Sequence, residues 1–116
     1  VGLNGTALTS KCRIEIGDDT MVAANVIIVD SDFHATWPPE LRWTSSTEEF
    51  DKEVIIGRNV WIGMNTVVLK GSRIGDNSII GAGSIVSGEI PANCMAAGNP
   101  ARVIRMLGVD GVEAAH

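Results

Sequence analysis

The chain has 116 residues, a formal net charge of −5 and a pI of about 4.8. The length suits one domain. The acidic balance argues against a dedicated nucleic-acid binder, which needs a basic stripe; no apolar run reaches the roughly 18 residues of a membrane span, and nothing at the start reads as a signal peptide. Cys12 and Cys94 are far apart and form no CxxC pair. They read as two buried or incidental thiols of a reducing compartment, so a cytoplasmic setting is expected. The chain opens on Val1, already within repeat-like sequence, and the expectation is a missing N-terminal portion or an unusually short protein.

A six-residue register runs through the chain, weakly at first. In residues 1–33 Ile16-Gly17-Asp18-Asp19-Thr20-Met21 fits it fully. The unit Val22-Ala23-Ala24-Asn25-Val26-Ile27 fits with Ala in place of Gly, and Ile28 opens the next. Asn4 and Ser10 fall in phase but are not aliphatic.

Residues 30–53 break the repeat. Pro38-Pro39 forbids regular ladder bonding, and Trp37, Trp43 and Phe50 stand among Glu40, Glu48, Glu49, Asp51 and Glu53. A long insertion in a compact solenoid is usually functional or disordered, and three large aromatics favour function. The expectation is an extruded loop, about 35–53, covering a site or packing on a neighbouring subunit. His34 lies where the repeat breaks, six residues after Ile28. It reads either as a polar, hydrogen-bonded corner or as a general base, since a neutral imidazole takes a proton from a hydroxyl. Asp30 and Asp32 would orient its ring, or serve only as turn residues.

From Ile56 to Val86 the register is regular. Ile56, Ile62, Val68, Ile74, Ile80 and Val86 recur at every sixth position, with Gly following at 57, 63, 75 and 81. Four residues after each aliphatic comes a small or β-branched residue: Val60, Thr66, Ser72, Ser78, Ser84. Asn or Gly precedes that one, at Asn59, Asn65, Gly71, Asn77 and Gly83. Neither helical period nor strand alternation gives a period of six. A solenoid does: each unit is one short strand and one turn, too small to bury a face except by stacking on its neighbours. The aliphatic and the small residue point inward, Asn and Gly take left-handed turns, and three units make a triangular coil of about 18 residues. Trp61 interrupts the small residues and should point outward, as an interface or substrate contact. After Ile90-Pro91 closes the last coil, Pro100 opens ARVIRML, whose Val103, Ile104 and Leu107 suit one face of a short capping helix over about 100–107. Residues 108–116 read as a tail, and the terminal His116 is given no role.

The run His34-Ala35-Thr36…Pro39-Glu40-Leu41-Arg42, then IGRNVWIG, then AAGNPARVIR resembles the sugar O-acetyltransferases of the hexapeptide-repeat superfamily, from about Asn4 to Met106. The nearest patterns are those of galactoside and maltose acetyltransferases and their relatives in polysaccharide biosynthesis. The resemblance implies an all-β, left-handed parallel β-helix over 1–107; the handedness comes from the resemblance alone. It implies acetyl transfer from acetyl-CoA to a sugar or glycan hydroxyl, a homotrimer with clefts between subunits, and no metal. His34 would be the general base, with Asn4, Asp32 and Trp61 near the acceptor. Coenzyme A would be met by Met64, Ala82, Ser87, Gly88, Arg102 and Arg105, Met64 standing where Ser is common and Gly88 where Lys is common. Arginine forks suit its phosphates, and Lys70 is a further phosphate contact or simply a solvated turn residue. Ala35 replaces a Pro of the galactoside type, which leaves the acceptor open to sugars other than a simple galactoside, and the acidic loop does not favour a strongly anionic one. Two rivals remain on the same fold: a γ-class carbonic anhydrase, which needs three histidines where this chain offers one, and a non-catalytic scaffold. Within the favoured class, an antibiotic, an amino sugar or serine is also an open acceptor.

Overall fold

The computed structural model describes residues 1–43 and 46–108; most of the expected tail, with His116, lies outside them. Strands of two or three residues alternate with turns. In chain order they are β1 (Gly2–Leu3), β2 (Ala7–Thr9), β3 (Ile14–Ile16), β4 (Met21–Val22), β5 (Ile27–Val29), β6 (Val54–Ile56), β7 (Trp61–Ile62), β8 (Val67–Val68), β9 (Arg73–Ile74), β10 (Ile79–Ile80), β11 (Ile85–Val86) and β12 (Glu89–Ile90). Two longer strands follow, β13 (Cys94–Gly98) and β14 (Ala101–Met106). Every third strand pairs in parallel, giving three sheets: β1-β4-β7-β10-β13-β14, β2-β5-β8-β11 and β3-β6-β9-β12. Call them the first, second and third. The chain is a parallel β-helix of triangular section.

The register reports the length of each coil. Trp61 pairs with Ile79 and Val67 with Ile85, each eighteen residues on. Met21 pairs with Trp61, forty residues on, because about 22 extra residues leave the helix between β5 and β6. The expected insertion is therefore real, and the coils on either side close as though it were absent.

The inward columns explain the period of six. Val22, Ile62, Ile80 and Ala96 stack on the first sheet; Ile28, Val68 and Val86 on the second; Ile16, Ile56, Ile74 and Ile90 on the third. All but the half-buried Ile16 are at most 5% exposed. The small residues fill the corners. Ser72 donates to the carbonyls of Leu69 and Val86, Ser78 to that of Pro91 and Ser84 to that of Gly81. Each buried hydroxyl thus meets a carbonyl acceptor, as burial requires. The turn residues Asn59, Asn65 and Asn77 have φ between 54° and 64°, and Gly71 and Gly83 are also left-handed.

The glycine after each aliphatic has a different cause. Its φ is ordinary, but the next coil lies against it. A Cβ on Gly63 would meet the nitrogen of Ala82 at 2.7 Å and the carbonyl of Ile80 at 2.8 Å. The Gly63 N–H donates to that same carbonyl at 2.8 Å. A side chain would force the coils apart.

One expectation fails. The run after Pro100 is not a capping helix but β14, antiparallel to β13. Gly98 is left-handed, at φ 105°, and begins the turn that Asn99 and Pro100 complete. Six residues are too few for a stable helix, Val103 and Ile104 are β-branched, and the open edge of β13 offers backbone partners. Among the described residues the sole helical element is a 3-10 turn, Pro39–Leu41, and no helix is long and apolar enough to cross a membrane.

Gly63→Ala should cost about 1–3 kcal/mol in chemical denaturation, the range for overpacking a tight site. Gly2→Ala, with nothing within 4 Å of its Cβ, should be close to neutral.

Candidate active site

The extruded loop is tied to the coils at its base. Asp30 is fully buried and accepts from the Ser10 hydroxyl at 2.5 Å, the Lys11 N–H at 2.7 Å and the Cys12 N–H at 2.8 Å. The Lys52 N–H donates to the Asp30 carbonyl at 3.0 Å, so the loop's two ends meet there. Burial alone would raise the Asp30 pKa. The hydrogen bonds from Ser10, Lys11, Cys12 and the backbone of Arg13 outweigh it and hold the carboxyl below its ordinary value. Further along, Asp32 pairs with Lys70 at 2.7 Å, and the Lys11 ammonium lies 5.5 Å from the Phe33 ring centre. Phe33 itself takes a left-handed turn, φ 64°.

His34 follows. Its Nδ1 is 2.8 Å from the carbonyl oxygen of Arg42. A carbonyl only accepts, so Nδ1 carries the proton and donates. In the neutral ring Nε2 then holds the lone pair. Trp43 packs edge-on against the imidazole, 5.0 Å between ring centres at 62°. The Arg42 guanidinium donates to the Thr36 carbonyl at 3.2 Å and closes the small loop around the histidine.

The expected orienting residues are corrected here. Both Asp30 carboxylate oxygens are engaged by residues 10–12, so Asp30 anchors the loop. Asp32 shares a cavity with His34 but bonds Lys70. Lys70, a candidate phosphate contact, is committed to that ion pair. The ring is held instead by Arg42 and Trp43. A backbone carbonyl eight residues away leaves no sequence signal.

The cavity beside His34 has a volume of about 200 Å³ and is lined by Asp32, Ala35, Thr36, Trp37, Thr47, Phe50, Asp51 and Lys70. A second and larger concavity, about 620 Å³, lies on the first sheet and its turns toward the second. It joins five of the expected site residues, Asn4, Trp61, Met64, Ala82 and Arg105, with Ile79 and Met95. Trp61 points outward as expected, 51% exposed. Ser87 and Gly88 sit elsewhere, in the turn from β11 to β12, and Arg102 is an exposed residue of β14 outside the groove lining. Within one chain, the loop leaves between the second and third sheets, whereas the groove faces out from the first. The cavity at His34 and the groove share no lining residue. Of the two thiols, Cys94 is buried and Cys12 exposed.

A parallel β-helix of six-residue units is the architecture of hexapeptide-repeat proteins, and residues 53–88 match the family described as bacterial transferase hexapeptide (six repeats). The chain belongs to that superfamily and folds as its left-handed parallel β-helix. Its relatives include proteins named galactoside and polysialic acid O-acetyltransferases and others named only as putative acetyltransferases. It is 46% identical over 97 residues to the galactoside O-acetyltransferase of Escherichia coli K12, covering 81% of this chain and 44% of that protein. It is 38% identical over 109 residues to the polysialic acid O-acetyltransferase of Escherichia coli O1:K1, covering 90% of this chain and 33% of that one. A galactoside acetyltransferase in complex with coenzyme A superimposes with a TM-score of 0.79 at 39% identity, over 89% of this chain and 50% of that one. The chain spans about half the length, or less, of these relatives.

Asp30→Asn should lower stability at neutral pH by about 1.5–3 kcal/mol, the scale of hydrogen bonds to a charged group. Because the folded carboxyl titrates below its unfolded value, its contribution is present above the ordinary carboxylate range and is lost as pH falls through the folded pKa. Denaturation curves of the parent and Asp30→Asn should therefore converge in acid.

Proposed function

We propose that this chain is the β-helical part of an acetyl-CoA-dependent O-acetyltransferase that acylates a hydroxyl of a sugar or glycan, with His34 as general base. The observation that carries this reading is the Nδ1 bond to the Arg42 carbonyl. It leaves Nε2 as the basic nitrogen on an exposed ring at the rim of a cavity. Nε2 takes the acceptor's hydroxyl proton while the oxygen bonds to the acetyl carbonyl carbon. The C–S bond then breaks, and the departing thiolate recovers the proton from the imidazolium. Backbone N–H groups of the cleft stabilise the oxyanion.

The groove on the first sheet suits coenzyme A. Trp61, Met64, Ile79 and Ala82 make a largely apolar trough for the pantetheine arm, and Arg105 at its edge and Arg102 on the same strand offer forks for phosphate. Met64 replaces a side-chain hydrogen bond with apolar contact. Support for the co-substrate comes from the coenzyme A complex of the similar galactoside acetyltransferase.

The same reading makes the protein a homotrimer working in a reducing, cytoplasmic setting. The outward columns of two sheets are apolar: Met21, Trp61, Ile79 and Met95 on the first, Ile27, Val67 and Ile85 on the second. The third carries Glu15, Ile55, Arg73 and Glu89. Exposed apolar faces of this kind mark association surfaces. A second copy's groove brought to His34 joins the two halves of the site that one chain holds apart.

His34→Ala should keep its circular dichroism and its affinity for coenzyme A while kcat falls by about 10²–10⁴, the usual worth of a general base. Undiminished turnover in the folded variant would remove His34 from that role.

A further inference from the structure

The cavity beside His34 is built from two kinds of wall. One is aromatic: Trp37 is 78% exposed and Phe50 57% exposed, yet both line the cavity. Large rings left in water without a partner are a feature of binding surfaces. The other wall is polar. The Thr47 hydroxyl donates to Asp51 Oδ2 at 3.3 Å and lies 3.3 Å from the Ser31 hydroxyl, while Asp51 Oδ1 is buried with no hydrogen-bond donor. A buried carboxylate oxygen without a donor is costly. Asp51 also lines the cavity, so its carboxylate is an acceptor within reach of a ligand hydroxyl there. A pyranose has the matching surfaces, a C–H face for an aromatic ring and a hydroxyl edge for a carboxylate. The volume, about 200 Å³, is below the ~300–1,000 Å³ of drug-sized pockets and suits a single ring.

Charge narrows the class. Residues 30–53 hold seven acidic residues (Asp30, Asp32, Glu40, Glu48, Glu49, Asp51, Glu53) and two basic ones (Arg42, Lys52). Their balance of −5 equals that of the entire chain, so the remainder is neutral. Lys70, the one lysine in the cavity wall, is neutralised by Asp32 at 2.7 Å. An anion approaching His34 meets a segment whose net charge is negative, although Arg42 and Lys11 lie within it or beside it, and such like-charge juxtaposition is a means of rejecting partners.

We propose that this cavity is the ring-binding subsite for the acceptor, with Trp37 and Phe50 as stacking walls and Asp51 as hydroxyl acceptor, and that it takes an uncharged sugar and rejects an anionic glycan. The subsite rests on the acetyltransferase reading for its place in a reaction, but not for its ability to bind a sugar. It sets this chain apart from the relative named for polysialic acid, a polyanion. It also separates the two substrates by charge, the coenzyme's phosphates to the arginines of β14 and the neutral acceptor to the acidic loop.

The test uses methyl β-galactoside as the neutral probe and a sialic acid trimer as the anionic one. Titration of tryptophan fluorescence with the galactoside, without coenzyme A, should give a saturable change that Trp37→Ala abolishes. Trp37 is an exposed loop residue, so the substitution spares the core. In acetyl transfer Trp37→Ala should raise the acceptor KM at least tenfold and leave coenzyme A affinity within twofold. The sialic acid trimer should be at least tenfold poorer in kcat/KM. Glu48→Gln with Glu49→Gln, both exposed and outside the cavity wall, should narrow that gap at low salt and not at high salt, where such fields are screened. A trimer that is the better acceptor, an unmoved acceptor KM in Trp37→Ala, or no fluorescence response to the galactoside overturns the subsite. Saturable galactoside binding without any acetyl transfer supports the subsite and overturns the acetyltransferase reading.

Discussion

The structure depends on one constraint: each coil must bring its backbone back into hydrogen-bonding register with the coil below. A strand of two residues cannot bury a face or satisfy its own N–H and C=O groups. It is stable only because Trp61 lies over Met21 and Ile79 over Trp61, and so on up the stack. Everything regular in the chain serves that closure. The aliphatic residue fills the axis and the small hydroxyl residue fits the corner. The Asn or left-handed Gly makes the bend. The glycine after the aliphatic lets the next coil come within hydrogen-bond distance. None of these residues can perform acid–base chemistry.

The proposed chemistry lies where the constraint is suspended. The helix continues across residues 30–53 because Asp30 and Lys52 hold the two ends of the excursion together. The coil therefore closes at the same corner with or without the loop. That arrangement frees the loop from the period of six while keeping its base rigid. His34 sits four residues from the Asp30 anchor, and a carbonyl from the loop's returning limb sets its tautomer. A rigid wall and an irregular, well-anchored loop are a common division of labour, in which the scaffold positions and the loop reacts.

Electrostatics divide the molecule along the same line. The net charge resides in the loop segment, while the coils are balanced and carry arginines on the last strand. On the proposed reading, a long anionic co-substrate and an uncharged acceptor would approach from different sides without competing. The third sheet's outer face, with Arg13, Glu15, Glu53 and Arg73 in exposed ion pairs, adds solubility more than stability.

Much of this was legible in the residues themselves. A period of six, read through Ile56 to Val86, specifies inward, corner and turn positions because each coil repeats the same steric demands. Those positions agree with burial and backbone angle throughout that stretch. The breaking of the period marked the loop, and the single internal histidine marked the side chain proposed as its base. Three things lay beyond sequence. The segment after Pro100 pairs as a strand because an open edge of β13 competes for it, and no local propensity records that edge. Asp30 is an anchor and not a partner of His34 because residues 10–12, a coil away, claim its oxygens. The histidine's proton is placed by the Arg42 backbone, which any residue type would supply. Sequence determined what repeats, since repetition is local; the tertiary structure decided which groups meet across coils, since those contacts join residues that the period does not relate.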